Sequence, residues 1–244
     1  MKNKVKKILD KLKIKNGDHL ILHGNLALIS QIKSSKSIDL KLKFFIDQLK
    51  KKIGKNGVVF IPAFTYSFCK KKKFNINNTK SEIGLFSELI RKFYNNRTHH
   101  PIFSFTVIGK KKGYSKVSLK SCFGKNSFFD NFKKNNGKII CLGSGFSSIT
   151  FLHHIEEFCK VNYREYRLFS GNIFLTKNKK RKISTNYFVR KNKKIKNNFL
   201  RFERYLRKKI QYSNFERFNI ITINSKILFK EGVKVLKKNP YYFI

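Results

Sequence analysis

Three short apolar runs, each closed by a glycine or a proline, constrain this chain more than any other feature of its sequence. His19-Leu20-Ile21-Leu22-His23 runs into Gly24-Asn25, Val58-Val59-Phe60-Ile61 into Pro62, and Ile139-Ile140-Cys141-Leu142 into Gly143-Ser144-Gly145. Runs of this length bounded by turn residues read as buried strands. Between them, apolar residues recur at helical spacing: Val5, Ile8, Leu9 and Leu12, then Leu42, Phe45, Ile46 and Leu49, then Ile83, Phe86, Ile90 and Phe93. A further strand is expected over Ile102 to Ile108 after Pro101, and a short helix around Phe128 to Phe132. Strands alternating with helices predict an α/β fold, a layered sheet flanked by helices.

After Gly171 the texture changes. Short strand-like runs (Asn172 to Leu175, Tyr187 to Val189, Phe218 to Ile223) are separated by lysine-rich turns and one helix near Phe199 to Lys208. The expectation is a single domain over 1–244, with a motif-bearing core (1–171) and a smaller, peripheral strand-rich lobe (172–244). The lysine runs Lys70 to Lys73, Lys177 to Lys182 and Lys191 to Lys196 read as solvated turns.

A chain of 244 residues with 41% hydrophobic content, 26 Phe and 10 Tyr can bury a full core, which excludes a disordered polycation. Its net charge of +43 admits two explanations. One is a nucleic-acid or anionic-membrane partner. The other is drift toward A/T-rich codons, which supply Lys, Asn, Ile, Phe and Tyr. The basic residues are spread along the chain instead of gathered on one element, so any nucleic-acid binding is expected to be non-specific. No run of about 18 apolar residues occurs, and no signal-like apolar stretch follows Met1-Lys2-Asn3-Lys4. Four dispersed cysteines without a C-x-x-C pair argue against a zinc ribbon and suit a reducing cytoplasm.

Chemistry concentrates where the third strand ends. Thr150-Phe151-Leu152-His153-His154-Ile155-Glu156-Glu157 opens a helix on which His153 and Glu156, three residues apart, share a face. An imidazole oriented by a carboxylate is a ready general base. The alternative is an ordinary helix with one core histidine. Arg97-Thr98-His99-His100-Pro101 lies just before a strand, where Arg97 and His100 could meet an anionic or hydroxylated ligand or simply form a turn. The glycine loops at Gly24, Gly124 and Gly143 allow close backbone approach, yet none matches a Rossmann or P-loop spacing. Thr65 and Tyr66 place hydroxyls at the end of the second strand.

Taken in order, these segments resemble the aminoglycoside 3-N-acetyltransferase family. The family pattern is a strand ending in His-Ser-Ser, then Pro-Thr-Phe-Thr, Arg-Ser-x-His-Pro-x-x-Ser-Phe, Phe-Gly-x-x-Ser-Pro, Leu-Gly and Thr-x-Leu-His-x-x-Glu. Here it reads His23-Gly24-Asn25, Pro62-Ala63-Phe64-Thr65, Arg97 to Pro101 with Ser104-Phe105, Phe123-Gly124-Lys125-Asn126-Ser127-Phe128, Leu142-Gly143 and Thr150 to Glu156. The resemblance covers about residues 17 to 171, and Tyr163-Arg164 also look like family positions. It implies acetyl-CoA as donor, an amino sugar as acceptor, no metal, and direct transfer with His153 as base and Glu156 as its orienter. It further implies coenzyme contacts at His23, Gly24, Asn25, Ser104, Phe105, Gly143, Gly145 and Thr150, and acceptor contacts at Thr65, Tyr66, Arg97 and His100. The loop Phe64-Thr65-Tyr66 resembles the branch of surface-polysaccharide enzymes. The chain departs from the pattern at Gly24, Asn25, Phe128 and Ile149. Its basic character does not match a polycationic drug, and two rival readings are a nucleic-acid binder on an inherited fold and an inactive relative.

Overall fold

The computed structural model describes residues 1–110, 113–114, 116–176 and 178–244. Its centre is a six-stranded sheet. In spatial order the strands are β4 (Phe105–Gly109), β2 (Val58–Pro62), β1 (His19–Gly24), β5 (Lys138–Leu142), β9 (Phe218–Asn224) and β8 (Gln211–Phe215). The three apolar runs are the central strands β2, β1 and β5. They run parallel, with Ile21 opposite both Phe60 and Ile139. β4 and β9 flank them antiparallel.

Both faces of the sheet are covered, which is why these strands read as unbroken apolar runs. Leu20, Leu22, Val59, Ile61, Ile140 and Leu142 point to one face. Packed there are α1 (Lys2–Lys11), α2 (Leu26–Ser30), α3 (Ile38–Ile53) and α4 (Leu85–Phe93). Ile21, Val58, Phe60, Ile139 and Cys141 point to the other, aromatic-rich face. That face carries α5 (Phe128–Lys134), α6 (Leu152–Phe158), α7 (Phe199–Tyr205) and α8 (Ser225–Lys238). A three-stranded sheet, β3 (Phe74–Asn75), β6 (Arg164–Phe174) and β7 (Lys180–Arg190), packs on the same side. The α/β layered class and its smaller sheet are as the sequence predicts.

Three local readings change. The strand expected from Ile102 starts at Phe105, because His100 Nδ1 accepts the N–H groups of Ile102 and Phe103 and holds them in a turn. Lys180 to Lys182 form the exposed start of β7 instead of a turn, while Lys177 of that run lies outside the described residues. Lysine is a common device on exposed strands because its charge discourages edge-to-edge pairing. Gly171 falls inside β6, so the chain beyond it contributes to both sheets, with β9 paired to β5 along five positions.

α8 has no counterpart in the sequence reading. Gly232 interrupts its apolar spacing, and an interior glycine ordinarily weakens a helix by about 1 kcal/mol. A Cβ at Gly232 would lie 2.7 Å from Ile155 Cδ1, so the glycine lets α8 press against α6. At the end of β1, a Cβ on Gly24 would lie 2.3 Å from the Phe86 ring of α4. The Phe86 ring occupies the space that the serine of the family pattern would need. Gly24→Ser is therefore expected to destabilise the chain by about 1–3 kcal/mol in urea unfolding. Shortening the ring in Phe86→Leu should restore most of the loss. Equal stability of Gly24→Ser and wild type would contradict the packing argument.

Candidate active site

β1 and β5 lie side by side and end at the same edge, so their glycine loops meet. Asn25 caps α2, its Oδ1 accepting Ala27 N–H at 2.9 Å, and its Nδ2 donates to Gly143 O at 3.3 Å. Ser144 Oγ donates to His23 O. Gly143 and Gly145 adopt φ of +71° and +77°, a backbone region that favours glycine. The loop continues through Ser147 and Thr150 into α6, where Thr150 O accepts His153 N–H.

α6 carries four polar side chains in five positions, and they separate into two pairs. His153 lines a cleft of about 460 Å³, also lined by Tyr66, Ser147, Tyr187 and Asn197, and Glu156 is buried behind it. His153 Nδ1 lies 2.5 Å from Glu156 Oε2. Arg164 Nη2 also lies 3.1 Å from Nδ1, but the shorter contact is to an ionised carboxylate with no proton to give, so Nδ1 carries the hydrogen and Nε2 is left as the acceptor. Glu156 is fully buried. Tyr163 donates to its Oε1 at 2.8 Å, and Arg164 Nε lies 3.0 Å from its Oε2. Burial alone would raise the Glu156 carboxyl, but His153, Arg164 and Tyr163 outweigh it and hold the group below its ordinary value. For His153, burial lowers the imidazole, Glu156 opposes that, and the charges of Arg164 and Arg190 add to the lowering. The ring is therefore neutral at pH 7. Phe123 and Phe199 flank it at 5.4 and 5.8 Å between ring centres.

His154 and Glu157, the other pair, grip the loop that carries Phe123. His154 Nδ1 donates to Phe123 O. Ser121 Oγ donates to Glu157 Oε1 at 3.0 Å and accepts Gly124 N–H at 2.8 Å. A Cβ on Gly124 would stand 2.5 Å from Glu157 Oε1, so the glycine permits this approach. Phe123 thereby becomes a fixed wall beside His153, backed by Phe103 and Tyr187. Glu157 Oε2 is buried without a hydrogen-bond partner among the described residues. Burial pushes this carboxyl up to about 7.

The expected acceptor residues separate as well. Tyr66 shares the cleft with His153. Thr65 is buried beneath it, its hydroxyl donating to Glu82 at 2.6 Å. Arg97 and His100 are not among the residues that line the cleft with His153, and His100 borders a separate cavity. Arg97 is buried and directs its guanidinium to Ser104 Oγ and to the carbonyls of Ile76, Thr79 and Ala63, bracing loops from within. His100 is buried, held down to about 3, and bonded to the turn and to Thr185. Among the expected coenzyme positions, Ser104 and Phe105 are likewise fully buried, the serine between Arg97 and Ala63 O and the phenylalanine in the aromatic core. His23 ends β1 with its ring lowered to about 4 by burial. Thr150 is half-buried, and Gly145 faces open space.

A larger cavity of about 770 Å³ lies under β7 between Phe60, Tyr114, Phe128 and Lys182, and contains none of the His153 network. Arg190 and Asn197 have no motif around them. They reach the cleft only because β7 and the turn after it fold over α6. Among the described residues, no cluster of three or more His, Cys, Asp or Glu could hold a metal, and no helix is long and apolar enough to cross a membrane.

The site is thus a half-buried histidine paired to a fully buried carboxylate on α6, the helix that follows β5, with a small second sheet beside it. Residues 23–237 match the family model for aminoglycoside 3-N-acetyltransferase, and the chain belongs to that family of N-acetyltransferases. No curated protein matches it by sequence. Among solved structures it is similar to AAC-IIIb in a binary complex with CoASH, at 16% identity and TM-score 0.79, covering 96% of this chain and 95% of that one. YokD from Bacillus subtilis is also similar, at 16% identity and TM-score 0.76, covering 100% and 95%. Sisomicin-bound AAC-VIa gives 17% identity and TM-score 0.73, covering 97% of each chain. At these identities the likeness concerns the fold alone.

The Glu157 carboxyl supplies a pH prediction. Its folded value, about 7, exceeds the ordinary 4.5, so between these values the native chain holds a proton that the unfolded chain has released. The resulting stability is full below pH 4.5 and is lost as pH rises toward 7. Unfolding free energy measured against pH should show wild type losing up to about 3 kcal/mol relative to Glu157→Gln across this window. Parallel curves would show that Glu157 is not strained when ionised.

Proposed function

We propose that the chain transfers an acetyl group from acetyl-CoA directly to the amine of an amino sugar, with His153 as general base. The observation that carries this reading is the network of His153, Glu156, Tyr163 and Arg164 at the floor of the cleft. A neutral imidazole with its Nδ1–H held by a carboxylate presents Nε2 to an incoming amine. The amine nitrogen attacks the thioester carbonyl, a C–N bond forms, and Nε2 takes the proton that the nitrogen must lose. The C–S bond then breaks, and the proton leaves with the sulfur as free thiol. Glu156 stabilises the imidazolium formed between these events, while Arg164 prevents it from persisting.

Of the positions that the family resemblance implies for coenzyme A, Gly145 is exposed and Gly24, Asn25, Gly143 and Thr150 are half-buried, in the loops that follow β1 and β5. Open space surrounds Gly145, and Thr150 stands one turn before His153. That arrangement suits a thioester laid beside the base, with the Thr150 hydroxyl and loop N–H groups steadying the oxyanion. Asn197 Oδ1, buried and without a donor among the described residues, leaves an acceptor for a sugar hydroxyl. The proposed setting is cytoplasmic, where acetyl-CoA is made and used.

Thiol release from acetyl-CoA with a panel of amino sugars tests the proposal. His153→Ala should lower kcat by about 10²–10⁴-fold. In wild type, the limb of the kcat profile that belongs to His153, read at saturating acceptor, should fall below pH 6.5, because burial lowers the ring from that ordinary value. Activity that survives His153→Ala would sink the assignment.

A further inference from the structure

The cleft carries positive charge that acyl transfer to a neutral amine does not require. Three cations line it: Arg164, Arg190 and Lys193. Arg164 is matched by Glu156, which is buried behind His153. The other two are unmatched among the described residues. Arg190 ends β7 and donates one N–H to Ile195 O at 2.6 Å, which braces its guanidinium over the turn that follows. Its remaining N–H groups meet no hydrogen-bond partner among the described residues, and its charge reaches His153. Lys193 stands exposed on that turn, in no ion pair. No Asp or Glu is among the residues lining the cleft.

We infer that the acceptor is an anionic amino sugar, whose phosphate or carboxylate is received by Arg190 and Lys193 while its amine faces His153. This rests on the acyl-transfer reading above and specifies its substrate class. A guanidinium with free N–H groups and a nearby ammonium suit an oxyanion, the first by paired hydrogen bonds and the second as a point charge. The same cations discriminate. An acceptor bearing several ammonium groups sets like charge against Arg190 and Lys193, and no carboxylate in the lining compensates. They also assist the chemistry, since neighbouring positive charge favours the free-base form of the reacting amine. The overall charge of +43 attracts any anion at long range, but only groups inside the cleft can fix one at the distance that presents its amine to His153.

Initial rates with glucosamine, glucosamine 6-phosphate and sisomicin, at low and high salt, test the inference. Glucosamine 6-phosphate should exceed glucosamine in kcat/KM by tenfold or more at low salt, with sisomicin poorest. The advantage should shrink as salt is raised. Arg190→Gln combined with Lys193→Gln should erase it through KM for the sugar phosphate, leaving KM for acetyl-CoA unchanged. A preference that persists in the double variant would assign it to the general field of the protein and overturn the inference. So would a double variant in which KM for acetyl-CoA alone rises, because the anion received would then be the coenzyme's phosphate. Calorimetry with glucosamine 6-phosphate separates this inference from the reaction itself. If no acceptor releases thiol, the catalytic proposal fails, while binding of the sugar phosphate that is lost in the double variant still supports the anion site. Absence of such binding overturns it.

Discussion

A single buried carboxylate organises the floor of this cleft. Glu156 is out of contact with water, and an isolated ionised carboxylate in that position would be costly. It is held ionised because three groups converge on it: His153 and Arg164 at one oxygen, Tyr163 at the other. Arg164 begins β6 and Tyr163 immediately precedes it, whereas His153 belongs to α6. The carboxylate therefore ties the small sheet to α6. Removing any one partner would leave a buried charge short of compensation, so the geometry of the base and the junction of the two sheets stand together.

The second pair on α6 has a different task. His154 and Glu157 hold the loop at Phe123, and that ring fixes the side of the cleft that His153 leans on. Gly124 and Gly232 serve the same end from opposite sides. One lets Glu157 reach the loop, and the other lets α8 press on Ile155. The four polar side chains of α6 thus divide between the cleft pair and bracing of the Phe123 loop, a separation set by the helical period and by what each face meets.

Much of the fold was legible because the central strands are covered on both faces and their helices repeat at clear spacing. His153 and Glu156 were legible because their relation is local, three residues on one helix. What was missed is non-local. A polar loop before a strand commonly faces a site, but Arg97 turns inward to the carbonyls of Ala63, Ile76 and Thr79, and His100 holds the turn at Ile102 and Phe103 beside the separate cavity. Arg190 and Asn197 carry no motif and reach the cleft only through the long β6–β7 hairpin. That hairpin was hidden because its exposed lysines resemble turns. α8 was hidden by Gly232, whose value lies in a contact with a distant helix. The same limit separates composition from function: lysine throughout the chain says little, whereas Arg190 and Lys193 without a carboxylate nearby describe one place.

Nitrogen-15 NMR of the imidazole of His153 at pH 7 tests the central claim most directly. The expected spectrum is that of a neutral ring with a protonated Nδ1 and a bare, pyridine-like Nε2, lost in favour of a mixed or inverted tautomer in Glu156→Ala. A ring protonated at Nε2, or one carrying both protons at neutral pH, would contradict it, because no base would then face the cleft.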